Sequence, residues 1–328
     1  MFQMKKTLKA LGFLILFVLI IALAGGTYIN LALPNTGKPL SINIERTPER
    51  LKRGEYLANH VAACMDCHSS RDWSLYSGPM KPGTIGMGGE IFDENTGMPG
   101  QIYSANITPH SLGNWTDGEI LRAITTGVNK DGKALFSLMG YSRFGKMDKE
   151  DIYSIIAYVR SLKPIKNEVP ETKLNFPVNL INKTLPEPAN FQTIPNEKDT
   201  VKYGAYIANA AGCVDCHSKR EKGNIVAGSE FGGGMEFIQP SGTLSSPNIT
   251  MHQQNGIGSW TKETFVQRFK LYTDSTYKPQ QMGKNELNTP MPWTMYAGMN
   301  TKDIESIYVY LKSLKPNANQ VEIRSNKN

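Results

Sequence analysis

Residues 53–164 and 202–316 carry the same landmarks in the same order, so whatever fold serves one half of this 328-residue chain must also serve the other. "GEYLANHVAACMDCHS" (54–69) matches "GAYIANAAGCVDCHS" (204–218), and "GGEIF" (88–92) matches "GGMEF" (233–237). "NITPH" (106–110) matches "NITMH" (248–252), and "NWTDGE" matches "SWTKET". "MGYSRFGKMDKEDIYSIIAYVRSLKP" repeats as "MPWTMYAGMNTKDIESIYVYLKSLKP" at a constant offset. Duplication is the simplest account. Between the copies, residues 165–199 hold Pro170, Pro177, Pro186, Pro188 and Pro195 with little periodicity and read as an extended linker.

Each copy carries three helical signals, and no segment alternates as a strand over more than a few residues. In the first copy, Thr47-Pro48-Glu49 opens a helix that leads into the cysteine run: a capping hydroxyl, a proline at the first turn, then an acid. A second helix begins at Trp115-Thr116, where Thr116 and Glu119 have capping-box spacing, and stops near Gly127. The third runs from Asp148 to about Leu162, with Ile152, Ile155, Ile156 and Val159 on one face, and Pro164 ends it. Long glycine- and proline-rich connections between a few helices imply something large at the centre to pack against.

The N-terminus is a different kind of segment. Residues 1–9 supply Lys5, Lys6 and Lys9, and no charged residue follows from Ala10 to Leu33. A basic flank before an apolar run of about 20 residues or more predicts a single membrane pass, with the flank cytoplasmic and the rest of the chain exported. Ala22-Leu23-Ala24 also fits a signal-cleavage site, so residues 10–33 read as a retained anchor or a removable signal. The three flank lysines account for much of the formal charge of +7, and the rest is scattered. No basic cluster supports nucleic-acid binding.

The chain has four cysteines, all in "CMDCH" (64–68) and "CVDCH" (213–217). A zinc site would pair two such runs within one small unit, whereas these lie in separate copies. A thioredoxin-like dithiol would sit in a βαβ pattern that this chain lacks. Disulfides between the runs would leave His68 and His217 unexplained. Covalent haem attachment explains every fixed position: two thiols add to the two vinyl groups of a porphyrin, and the histidine beside the second thiol ligates the iron. Cys64, Cys67, Cys213 and Cys216 are thus predicted to hold two haems c, with His68 and His217 as axial ligands.

These residues, together with the "NIT…W(T)" segments and the methionine-plus-aromatic segments before each last helix, carry a family resemblance. Over residues 50–164 and 200–316 the copies resemble class I cytochrome c domains. The chain as a whole is similar to membrane-bound bacterial dihaem cytochromes c, related to the cytochrome subunits of periplasmic alcohol and aldehyde dehydrogenases. The resemblance implies an all-α architecture of two tandem cytochrome c-like domains (45–164 and 200–316) after an N-terminal transmembrane helix, with a tail at 317–328. It also implies electron transfer as the activity and methionine as the sixth iron ligand. Met139 and Met147, with their counterparts Met291 and Met299, occur in both copies. Met147 and Met299 precede the caps of the last helices and can pack on Ile152 and Ile304. Met139 and Met291 lie in irregular stretches, each followed by Gly140 or Pro292 and then an aromatic, and are the expected ligands; Gly140 departs from the family's proline. His110 and His252 recur too, leaving bis-histidine ligation as an alternative, while His60 has Ala210 in its place and reads as a solvated helix position.

Trp115 and Trp260 could donate to haem propionates or pack against the core. Asn106 and Asn248 read as loop-ordering hydrogen bonders. Two irons with His and Met ligands offer no open position, so the expected function is electron relay without bond chemistry, on the periplasmic side of the inner membrane. The partners expected are a dehydrogenase or quinol-oxidising complex and a soluble cytochrome or terminal oxidase. The alternatives are a cytochrome subunit of a periplasmic dehydrogenase complex and a dihaem peroxidase-like enzyme.

Overall fold

The computed structural model describes residues 2–283 and 285–326. Helix α1 (Phe2–Ala32) touches the rest near its C-terminal end; none of its apolar window is buried, and it is long and apolar enough to cross a membrane. In the first copy, α2 (Pro48–Tyr56), α3 (Asp117–Thr126) and α4 (Lys149–Ser161) form where the caps predict them. Thr47 accepts from the Arg50 amide, Thr116 and Glu119 close a reciprocal capping box, and Asp148 accepts from the Glu150 amide. The second copy repeats them as α5 (Thr200–Ala211), α6 (Lys262–Lys270) and α7 (Thr301–Ser313); Asp199 and Thr261 cap the first two through their side chains, and Asn300 stands at the cap position of the third without a side-chain bond.

Helix α2 crosses α4, and α5 crosses α7, at the same point. A Cβ on Gly54 would lie 1.8 Å from the Ser154 carbonyl oxygen, and one on Gly204 would lie 1.9 Å from that of Ser306. The two backbones therefore touch at each crossing, which lets Leu57, Ile152, Ile155 and Ile156, or Ile207, Ile304, Ile307 and Leu311, close around it with no exposure above 2%. Both sets belong to one continuous core.

The copies differ by one residue between this crossing and the cysteines. Helix α5 continues as α-helix to Ala211, but after α2 the chain takes a π-helical turn at Leu57–Val61, closed by Ala62 N donating to Leu57 O at 2.7 Å. The π turn absorbs the extra residue and keeps Cys64 in the same relation to its helix as Cys213.

Each copy also has a short antiparallel hairpin that the sequence pattern does not announce, because its strands are only two to four residues long. Ile91–Phe92 pairs with Gly100–Tyr103, and Glu236–Gln239 with Gly242–Ser245. The segment after the last helix of each copy supplies a third strand, Lys173–Leu174 or Arg324–Asn326. The residues expected to be a bare linker are thus partly strapped onto the first copy. Among the described residues the architecture is helical with three small sheets.

The copies meet face to face through a reciprocal exchange. Tyr56 Oη donates to Asp303 Oδ2 at 2.5 Å and accepts from the Asn300 amide at 3.0 Å. Tyr206, its counterpart, donates to Asp151 Oδ2 at 2.6 Å and accepts from the Asp148 amide at 3.1 Å. Arg53 grips Asp151 with two bonds of 2.8 Å, and Tyr203 donates to Asp303 Oδ1 at 2.9 Å. Burial, reinforced by the bonded carboxylates, pushes both exchanged phenols well above the ordinary tyrosine range, so they stay donors at any physiological pH.

Overpacking the helix crossing tests this account. Gly54→Ala and Gly204→Ala should each destabilise the protein by about 3 kcal/mol or more, the upper end of core overpacking, because the obstacle is backbone. Chemical denaturation should show this, with Gly283→Ala as a comparison in which φ is ordinary and the nearest neighbour is the Glu286 side chain at 3.4 Å.

Candidate functional site

Each cysteine run is a single helical turn, Cys64–Cys67 or Cys213–Cys216, begun by a residue in the left-handed region, Ala63 or Gly212. None of the four sulfurs is in a disulfide. Cys64, Cys67 and Cys213 are partly accessible and Cys216 is exposed, yet surrounding protein pushes the thiols up to about 11 or 12, the combination expected of groups set in a crevice. A redox dithiol needs the opposite shift.

The two histidines are held alike. His68 is 8% exposed, its Nδ1 lies 2.7 Å from Ala105 O, and its own carbonyl accepts from the Gly88 amide at 2.9 Å. His217 is 9% exposed, its Nδ1 lies 2.9 Å from Pro247 O, and its carbonyl accepts from the Gly233 amide at 2.9 Å. A carbonyl partner requires the proton on Nδ1 and leaves Nε2 with its lone pair available. Burial lowers both imidazoles below their usual range and keeps them neutral, the form that ligates a metal.

The carbonyls come from the residue before each "NIT", and that segment is fixed by its asparagine. Asn106 Oδ1 accepts from the amide and hydroxyl of Thr108, and its Nδ2 donates to Ile165 O and Asn167 O. Asn248 makes the same four bonds with Thr250, Asn317 and Asn319. Asn106 and Asn248 are both 3% exposed, as expected of loop-ordering residues and not of glycosylation sites.

Among the other residues singled out from sequence, Met147 and Met299 are fully buried in the core below the last helices. Met139 is half-buried at the end of a 3-10 turn, Ser137–Met139, and Met291 is half-buried on an irregular segment and packs against the core. His110 is on the surface with Nε2 3.3 Å from Glu168 Oε1, and His252 Nδ1 accepts from the Asn255 amide at 3.1 Å. Trp115 and Trp260 pack against the core. His60 is not solvated: the π turn carries it to the other copy, where Nδ1 lies 3.0 Å from Met295 O and the ring fills the space beside Gly298.

Arg143 was not legible from the motifs. It follows Met139 in the first copy and reaches into the second, where it donates to Ala210 O and pairs with Asp215 Oδ2 at 3.3 Å. Asn209 donates back to Arg143 O at 3.1 Å. A side chain at Gly140 or Gly212 would press on the guanidinium, with a Cβ 2.7 or 3.0 Å from Nε. Room for Arg143 is a physical reason for glycine where the resemblance leads one to expect proline. Its positive charge bears on all four thiols, and Asp66 of the first run acts on Cys216 of the second, so the two crevices are neighbours across the interface.

The arrangement fits haem. Among the described residues no three His, Cys, Asp or Glu side chains converge as they would on a bare ion. One tautomer-fixed imidazole next to two accessible thiols suits an iron that brings its own equatorial ligands.

No family model matches the chain. Its homologues are cytochrome c subunits of dehydrogenases. The fructose dehydrogenase cytochrome subunit of Gluconobacter japonicus is 29% identical over 286 residues, covering 82% of this chain and 53% of that one. The alcohol dehydrogenase (quinone) cytochrome c subunit of Gluconacetobacter polyoxogenes is 25% identical over 285 residues, 81% and 56% of the two chains. The gluconate 2-dehydrogenase cytochrome c subunit of Pantoea cypripedii is 23% identical over 280 residues, 80% and 59%. These relatives are cytochrome subunits, and the chain spans about half the length of the curated relatives it matches.

Asn106→Ala and Asn248→Ala should each cost about 2–3 kcal/mol by chemical denaturation, since each strands a buried threonine's amide and hydroxyl and two part-buried carbonyls. Thr108→Val, which keeps the asparagine's donors employed, should cost less than Asn106→Ala.

Proposed function

We propose that the chain is a membrane-tethered dihaem electron-transfer subunit of a dehydrogenase complex. Of the three readings left open by the sequence, an independent carrier, a dehydrogenase subunit and a dihaem peroxidase-like enzyme, the homologues favour the second. The observation that carries the haem reading is the matched Nδ1-to-carbonyl bond of His68 and His217, which leaves the Nε2 lone pair of each imidazole available to a metal, in the residue directly after the second cysteine of each run. Cys64 and Cys67 would hold one haem and Cys213 and Cys216 the other, with Met139 and Met291 completing the axial pairs. Haem bound there supplies a one-electron couple.

The protein's part is to hold the two sites still and adjacent. Asn106 and Asn248 fix the carbonyls that orient the imidazoles, and the tyrosine–aspartate exchange locks one site against the other. Arg143 places a positive charge between them, which favours the less positive, reduced state of each centre. With both axial positions filled by protein side chains, no site remains for a substrate, and the bond chemistry belongs to the partner dehydrogenase. Helix α1 would keep the subunit at the membrane, with both haem sites on the periplasmic side, where an acceptor in or near the bilayer can take the electrons.

Expressed with haem maturation, the chain should give two haems per polypeptide by pyridine haemochrome, and Cys67→Ser and Cys216→Ser should each lower the yield by one. Both ferric centres should be low-spin, and Met139→Ala or Met291→Ala should convert one of them to high-spin. A high-spin centre with peroxide turnover in the unmutated protein would refute the reading. Arg143→Met, copying Met295 at the equivalent position, should move both midpoint potentials to more negative values in a spectroelectrochemical titration while the spectra stay low-spin.

A further inference from the structure

Outside α1, the segment between the copies carries the most exposed large apolar side chain among the described residues: Phe176, at 79%. Ile181 and Leu185 follow at 50% and 42%. Three such side chains within ten residues leave a patch that needs a cover.

The same segment is where the folded part meets α1. The turn Asn182–Thr184 packs against α1, and Lys183 Nζ donates to Asn30 Oδ1 at 2.6 Å. Ile29, next to Asn30, is partly covered, whereas Tyr28 and Leu31 on either side are exposed. Asn30 lies two residues, about 3 Å at the rise of an α-helix, before the last residue of α1, so the contact is made on the helix itself and not beyond its tip. Every one of these α1 residues belongs to the charge-free run Ala10–Leu33.

The chain leaving α1 has little freedom to lift the folded part away. Thr36 Oγ1 bonds Thr126 Oγ1 at 3.2 Å, Arg122 donates to Gly37 O at 3.5 Å, and a Cβ on Gly118 would lie 1.8 Å from Leu40 O. The extended stretch after α1 is laid along α3 from its first residues.

We propose that residues 176–185 are a second, interfacial contact with the same phospholipid bilayer, seating Phe176, Ile181 and Leu185 at the boundary between headgroups and acyl chains. The inference rests on α1 as a membrane span: a bilayer that solvates α1 to its end also reaches the linker at the depth of Asn30. Lys183 keeps its ammonium at that boundary, bound to Asn30, as lysines near helix ends do. Two contacts, a helix and a patch, fix the tilt of the folded part where a helix alone would leave it free to swing.

The test uses the full-length holoprotein in liposomes of phosphatidylcholine and phosphatidylglycerol. Nitroxide labels on Phe176→Cys and Ile181→Cys are read by power saturation with oxygen and with a water-soluble nickel chelate. Phe17→Cys in α1 reports the span, Ile91→Cys and Ile238→Cys on the two hairpins report exposed apolar sites, and the unmutated chain sets the labelling background. The labels at 176 and 181 are expected to be relaxed more by oxygen than by the chelate, with the hairpin labels reversed. A lipid signature at 17 with aqueous signatures at 176 and 181 overturns the contact alone. An aqueous signature at all three overturns the span and the contact with it.

Discussion

Two backbone contacts, Gly54 on Ser154 and Gly204 on Ser306, govern most of what this protein does with its sequence. A helix pair can approach this closely only where one partner has no side chain, and the approach fixes both the depth of the core and the direction in which each helix points next. Two residues beyond each glycine stands the tyrosine that crosses to the other copy, and three residues before each serine stands the aspartate that receives one. The interface between the copies is thus set by the same crossing that sets the core within each. At the far end of α2 and α5 the chain runs directly into the cysteines, so the position of each crevice follows as well.

Much of this was legible in the sequence because it is local or repeated. Thr47, Thr116, Glu119 and Asp148 announce helix starts through bonds made within a few residues, and the helices begin there. Asn106 and Asn248 were readable because an asparagine two residues before a threonine, found twice, implies a built loop. What the sequence hid is mostly long-range. His60 looked solvated because nothing near it in the chain says that a π turn will rotate it onto Met295. The third strands were hidden because two or three residues are too few to alternate. The tyrosine–aspartate exchange joins positions more than fifty residues apart in one direction and more than two hundred in the other, and only the alignment of Tyr56 with Tyr206 could have drawn attention to it.

The departures from symmetry are as informative as the symmetry. Arg143 and Met295 occupy equivalent positions before the last helix, but only the arginine carries charge into the neighbouring crevice. Gly140 and Gly212 are the accommodation on either side of it. In the first run Asp66 is buried with Arg71 at 2.9 Å and is raised to about 6 by that burial, whereas Asp215 is shared between Arg220 and Arg143 and is more open. Two sites built to one plan are thereby placed in different fields, which is the simplest way for a duplicated chain to make its two centres unequal.

The reciprocal bonds of Tyr56 and Tyr206 have the pattern of a two-fold axis: the same residue type on each side reaches the same acceptor pair on the other. This is the arrangement that two separate single-copy chains would form as a symmetric dimer, in which any change is made on both sides at once. Joined in one polypeptide, the halves no longer depend on concentration to meet, and each side of the axis can be altered alone. The single arginine at the axis is such an alteration, open to this chain and closed to the dimer it resembles.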